Sequence, residues 1–477
     1  MYNRIINKKV LVALLLAGGL FSSCKKLVEI GPPTTQVGLD QAFASDATAT
    51  SAVLGIYNAS FTRDFLFPIT SIPGLSANEL QNNVPNVFLD EFKNNSITVT
   101  NGTLNTNLWG YSYSTLAQAN AMLDGITKSN TLSAALKNQL LGEVKFWRAF
   151  MLFFQVNIWG DIPMPLTDNP IGNATLARTP AAEVWKQIEN DLTQAQTLLS
   201  DVYPASQRAR VNRQTVNALL ARVYLFTKQW QLAETTADAV IKSGIYSLNK
   251  DLNTTFSNTS NEIIWQLATL NGLSTFTTNP DSKGGSFAAT PGVIPAITAT
   301  DTLYNSLEAG DLRKANWFTP TVIAGTNYKI VSKYKQRALP AGASTGSEYN
   351  VVLRLAEQYL IRAEARAQLG NLSGAIADVD TIRVRAGLPV LNNAISQSNL
   401  LLAIENERKA ELFGEWGARW FDLKRLPGRT DPSKSRADEV IGGMRPAVWQ
   451  STDVLYPIPD AQRQLNKALT QNPGYNQ

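Results

Sequence analysis

Two stretches of this chain, 142 residues apart, follow one helical grammar. Residues 211–226 place Val216, Leu219, Leu220, Val223 and Leu225 on or beside one helix face. A break at Lys228-Gln229 leads into a second helix over 230–242, stopped by Gly244. Residues 353–369, a turn at Gly370-Asn371 and residues 372–385 repeat the arrangement, with Gly387 and Pro389 as the stop. Superposing the two lays Ala363 on Ala221, Leu372 on Trp230 and Ala375 on Ala233. Such hairpins bury their apolar faces only by stacking, and two copies are too few to stand alone. More degenerate pairs are therefore expected, at 47–61 with 113–127 and at 134–158 with 182–199. A long final helix over 399–413 is expected to pack on the stack.

Small residues at helix crossings and a large one at the turn resemble the tetratricopeptide pattern. The expected fold is mostly α: a tetratricopeptide-like helical-repeat scaffold with two long, mostly irregular insertions, about 62–108 and 247–350. Both insertions are rich in Asn, Thr, Ser, Gly and Pro with scattered aromatics. Segments that long inside a compact protein are usually functional.

The N-terminus reads as a leader. Arg4, Lys8 and Lys9 precede an apolar run over 10–20, then Phe21-Ser22-Ser23-Cys24. The run is too short to cross a hydrocarbon layer of about 30 Å. Cys24, the single cysteine, stands where a bacterial lipoprotein carries its lipid, and this resemblance makes 1–23 a signal peptide and Cys24 the attachment point. Several acyl chains would make anchoring effectively permanent. The competing reading is a secreted protein with an incidental cysteine. The mature chain, 24–477, reads as a single domain.

Removing 1–23 lowers the formal net charge from +5 to +2, and only 17% of residues are charged, so there is no basic footprint for nucleic acid. The chain has no histidine, which excludes Ser-His-Asp and Cys-His catalysis and a histidine general base. Imidazole and thiolate metal sites are equally excluded from the mature chain. No EF-hand, Walker or dinucleotide-binding pattern occurs; calcium held by carboxylates and carbonyls stays open, while no metal-ligating residue and no cofactor is identified.

Aromatics over 143–163 fall on a helix face and read as core, ended by Gly160-Asp161 with Pro163. Glu407 and Glu411 share a helix face, which could mean a carboxylate pair for catalysis or metal. Arg408, Lys409, Arg419 and Arg425 crowd the same region, so an ion-pair network is expected instead. Residues 455–459 and 471–475 read as extended, proline-stiffened surface segments.

Together, residues 353–365, the phrase Ile382-Arg383 to Pro389, the run from Glu407-Arg408 to Arg419-Trp420-Phe421-Asp422-Leu423, and the Gln471-Asn472-Pro473-Gly474-Tyr475 tail are similar to the SusD/RagB family of outer-membrane nutrient-binding lipoproteins of the Bacteroidetes. Residues 74–80 also resemble the family's first insertion, where aspartate is commoner than Asn78. The resemblance implies a lipid-anchored helical lid over a SusC-like TonB-dependent transporter in the outer membrane, facing outward, with the insertions as ligand face. It carries over no ligand residue.

Three readings follow: a non-catalytic binder of a glycan or a peptide, a surface hydrolase using two carboxylates, and a repeat protein that binds only proteins. The amide- and hydroxyl-rich insertions favour the first, with an oligosaccharide as ligand. Sugars need flat apolar platforms plus fixed polar groups. Trp317, Phe318, Tyr328, Phe88 and Phe65 are the candidate platforms, Trp317 first because its sequence neighbours are polar. Asp64, Asn82, Asn83 and Arg313 are the candidate polar partners. Against each stands a plainer role, the aromatics as a small core of their loop and Arg313 as its brace.

Overall fold

In the computed structural model, which describes residues 38–62, 66–268, 292–335 and 347–475, the helices pack in chain order. They are α1 (Asp46–Thr62), α2 (Tyr111–Lys128), α3 (Ala134–Trp159), α4 (Ala181–Leu198), α5 (Arg213–Phe226), α6 (Trp230–Lys242), α7 (Leu355–Gln368), α8 (Leu372–Arg385) and α9 (Gln397–Leu412). Each of α1 to α8 touches the next, except that α7 follows α6 only after the second insertion, and α9 lies across α7 and α8. Four hairpins thus stack, the two legible ones and the two degenerate ones.

Local chemistry explains the boundaries. Asn212 and Thr215 form a reciprocal capping box at the start of α5. Asn371 caps α8 by accepting from the Gly374 N–H at 3.0 Å, and Gly370 makes the preceding turn at φ +83°. Ala221, Ala233, Ala363 and Ala375 are all fully buried, which lets the helix axes approach. Apart from the half-buried Lys145, helix α3 is buried all round from Gly142 to Trp159, and its Trp147 and Phe150 meet Trp265 edge to face at 5.3 and 5.2 Å.

Regular structure also appears inside the bounds of the insertions. The first holds a helix Leu66–Ser76, strand β1 (Leu80–Asn82), a helix Val87–Asn94 and part of a π-helical stretch Leu104–Gly110. Polar, proline-bearing sequence conceals the first of these helices, yet Ile69, Ile72 and Leu75 at near-helical spacing are fully buried. The second supplies β2 (Ile263–Leu267), β3 (Ile297–Ala299), β4 (Phe318–Ile323), β5 (Thr326–Val331) and the start of β6 (Asn350–Arg354). Strands β2 and β6 pair antiparallel and lead straight into α7. The other four form one sheet in the order β1-β3-β5-β4, so strands from both insertions share it. No described helix is long and apolar enough to cross a membrane.

Candidate ligand-binding face

Pairing of β1 with β3 sets Leu80 opposite Ala299, Gln81 opposite Thr298 and Asn82 opposite Ile297. Strand β3 meets β5 at Ala299 and Lys329, and β5 meets β4 with Tyr328 opposite Thr321. Residues directly opposed share a face and alternate along each strand. Leu80, Ala299, Val331 and Phe318 turn into the core. Gln81, Asn83, Thr298, Tyr328 and Thr321 consequently line the other face. Hydrogen bonds agree: Gln81 Nε2 and Asn83 Nδ2 both donate to Thr298 Oγ1, at 3.2 and 3.0 Å. Asn83 also ties the insertions together by donating to the Pro295 carbonyl at 2.9 Å. Asn83 and the half-buried Tyr328 thus share one surface, at opposite ends of it.

Asn82 alternates to the inner side and is buried. Its Nδ2 donates to the Val84 carbonyl at 2.6 Å and to Asp90 Oδ1 at 3.1 Å, while its Oδ1 has no partner among the described residues. Asn82 therefore shapes the edge of the face and holds Asp90 there. Phe88, 40% exposed, sits in the first turn of the helix Val87–Asn94, whose N-cap Asn86 accepts from the Leu89 N–H. One side of its ring rests against Gly102, where a Cβ would come within 3.3 Å. Val87, Val293 and Ile294 are exposed nearby in the chain, at the end of the β1–β3 pair where Asn83 meets Pro295. Sequence reading missed Gln81, Thr298 and Thr321; Leu80-Gln81-Asn82-Asn83 shows no apolar-polar alternation, so β1 leaves no local signal.

Three candidates, Trp317, Phe318 and Arg313, fall to the structure. Trp317 is fully buried, with its Nε1 donating to the Leu252 carbonyl at 2.9 Å and its ring edge-on to Phe256 and Phe413. Asn316 ends a short helix, and the chain turns Trp317 inward beside Phe318, itself stacked on Phe413 at 4.6 Å. Neither ring offers a face to a ligand. Arg313 is also fully buried, bonded to Asp311 at 2.8 Å, Glu407 at 2.6 Å and Glu411 at 3.0 Å. It braces the insertion on α9. Cys24, Asp64 and Phe65 lie outside the described residues.

Beneath the sheet, Arg354 binds Glu262 at 2.9 Å, Glu411 at 2.6 Å and Glu415 at 2.8 Å, Arg385 binds Glu262 and Glu411, and Lys333 reaches Glu415 at 2.5 Å. The expected ion-pair network exists, with different cations. The neighbouring Arg408 and Arg419 pair with Asp422 and Glu405, and distant arginines take Glu407 and Glu411. Burial opposes the charge on Glu411, but Arg385, Arg354 and Arg313 hold its carboxyl well below the usual range. A carboxylate so held is no general acid. Glu79, just before β1, differs: burial pushes its carboxyl up to about 7 against Lys333, the Gly414 N–H and Arg419. Among the described residues no cluster could hold a metal ion.

The chain matches known proteins along most of its length. Residues 308–475 match the profile described as SusD family, and residues 72–225 match one described as starch-binding associating with outer membrane. SusD-like protein P25 of Formosa agariphila is 24% identical, covering 77% of this chain and 78% of its own. A SusD-like protein of Bacteroides ovatus is 24% identical over 88% of this chain and 83% of its own. A SusD superfamily structure from Bacteroides vulgatus superposes with a TM-score of 0.77 at 19% identity, over 90% of this chain and 99% of that one. A structure titled laminarin binding SusD-like protein gives 0.73 at 22% identity, over 90% and 99%. The architecture is that of a helical-repeat class with a composite insertion face. The chain belongs to the SusD/RagB family.

Proposed function

We propose that this protein is a non-catalytic binder that captures a neutral oligosaccharide on the joined insertion face and delivers it to a SusC-like TonB-dependent transporter. In this reading Cys24 carries the lipid that holds it in the outer membrane, facing outward. The observation that carries the reading is the shared sheet: one surface lined by amides, hydroxyls and Tyr328, ending near the exposed Phe88. The family descriptions, and the laminarin named for one structural neighbour, support a glycan.

Energetics set the number of contacts. One ring stacked on a sugar removes about 100 Å² of apolar surface from water, worth about 2.5 kcal/mol. Association costs roughly 4 kcal/mol or more. A site must therefore combine at least two platforms or a platform with several hydrogen bonds, and Phe88, Tyr328, Asn83 and Gln81 supply such a set. The affinity expected is about micromolar to millimolar, better for oligomers than for monomers. The test is calorimetry on the lipid-free chain from Lys25 onward, titrated with laminari- and malto-oligosaccharides and with oligopeptides. Binding of a saccharide without release of shorter products supports the reading. Binding of peptides alone, or product release lost on mutating an insertion carboxylate, overturns it.

A further inference from the structure

On the scaffold, far in the chain from β1 to β5, a cleft of about 290 Å³ opens between α7, the first turns of α9 and the loop 426–432. Its size falls near the lower end of small-molecule sites, roughly 300–1,000 Å³. Glu364 and Glu405 line it, and each is fixed by arginine. Arg425 grips Glu364 with two parallel bonds of 2.5 and 2.7 Å, while Arg419 and Arg436 hold Glu405 at 3.0 and 3.1 Å. Their charges are thus compensated, and each oxygen keeps capacity to accept a further hydrogen bond.

The loop is built as rigidly as the floor. Glu439 accepts from the Thr430 N–H at 2.5 Å and the Asp431 N–H at 3.3 Å, and Arg436 joins Glu439 to Glu405. A Cβ on Gly428 would meet the Asp431 carbonyl at 2.5 Å, so the turn is closed tight. Arg429 reaches across to the Ser398 carbonyl at 3.0 Å. Gln397 spends its Nε2 on the Ala367 carbonyl at 2.6 Å and keeps its oxygen, and Gln368 stands on the same wall. Leu401, Leu426, Pro427 and Pro432 supply the apolar part.

This chemistry selects its ligand. Four arginines around two carboxylates disfavour a cation, and the carboxylates disfavour an anion. Fixed planar acceptors and donors over an apolar wall suit a neutral ring edged with hydroxyls. We propose that the cleft is a second saccharide site, independent of the insertion face and sized for one or two sugar rings.

The test uses the lipid-free chain with labelled leucine methyls, titrated with glucose, maltose, cellobiose and laminaribiose, and separately with a Gly-Ser tetrapeptide. Saturable shifts of the Leu401 and Leu426 methyls are expected with at least one saccharide. Arg429→Ala should weaken that binding about tenfold, the scale of a hydrogen bond to a charged group. Gln368→Ala, at a half-buried position, is the second variant, and Phe88→Ala should leave these shifts unchanged. The proposal is overturned if no saccharide moves either methyl, if the peptide alone moves them, or if both cleft variants bind as wild type. Loss on Phe88→Ala alone would assign the saccharide to the insertion face only. Failure of the cleft leaves calorimetry at the insertion face unaffected, so the two sites are judged separately.

Discussion

The two faces of the β1-β3-β5-β4 sheet solve opposite problems with similar residues. The inner face packs Phe318 and Val331 over a layer of fully paired charges around Arg313, Arg354 and Glu411. The outer face carries Gln81 and Asn83, whose few side-chain hydrogen bonds run to the buried Thr298 and the Pro295 carbonyl. Inside, Arg313 and Arg354 are spent on holding the insertion to α9. Outside, side chains keep spare donors and acceptors. An arginine or tryptophan from an insertion can belong to either side, and only the fold says which.

Mutations should separate the faces by the size of their effect on stability. Arg354→Ala removes the cation shared by Glu262, Glu411 and Glu415 beneath the sheet and should cost about 3–5 kcal/mol, read as a fall in the denaturation midpoint. A cost under about 1 kcal/mol would mean the inner layer is no brace. Trp317→Ala should cost about 3–5 kcal/mol too, through a cavity lined by Phe256 and Phe413. A stable variant with weakened saccharide binding would return Trp317 to the ligand face.

A smaller effect follows pH. Glu79 has a carboxyl raised in the folded state to about 7, so its contribution is fully present below its unfolded value and lost as pH rises through 7. Between pH 5 and 7 the wild type should lose about 2 kcal/mol relative to Glu79→Gln. Parallel pH profiles for the two proteins would show that Glu79 does not titrate there. Phe88→Ala should change stability by less than about 1 kcal/mol, since its ring is part exposed, yet weaken oligosaccharide binding severalfold in calorimetry. Unchanged affinity would remove Phe88 from the site. Cys24→Ser should leave the fold untouched and release the protein from the membrane fraction; a variant that still pellets with the outer membrane speaks against the anchor.

The scaffold was legible because helix stacking depends on local periodicity. Ala221 and Ala363 announce their crossings, and Gly370 its turn, within a few residues. The face was only partly legible. Asn83, just past β1, and Tyr328, in β5, are picked out by residue type alone, and the strands that set them on one side of the sheet are not foreseen. Trp317 misled because its polar sequence neighbours end a helix of five residues, and the burial comes from Phe256 and Phe413 far along the chain. Arg313 misled for a related reason: two of its partners, Glu407 and Glu411, sit more than ninety residues away. Pairing of that range leaves no local trace.

Strand β1 has a single neighbour, β3, and the two come from different insertions. Exchanging either insertion alone would therefore break this pairing. A chimera grafting one insertion from a relative would have to preserve the register of Leu80 with Ala299, or bring both segments across together.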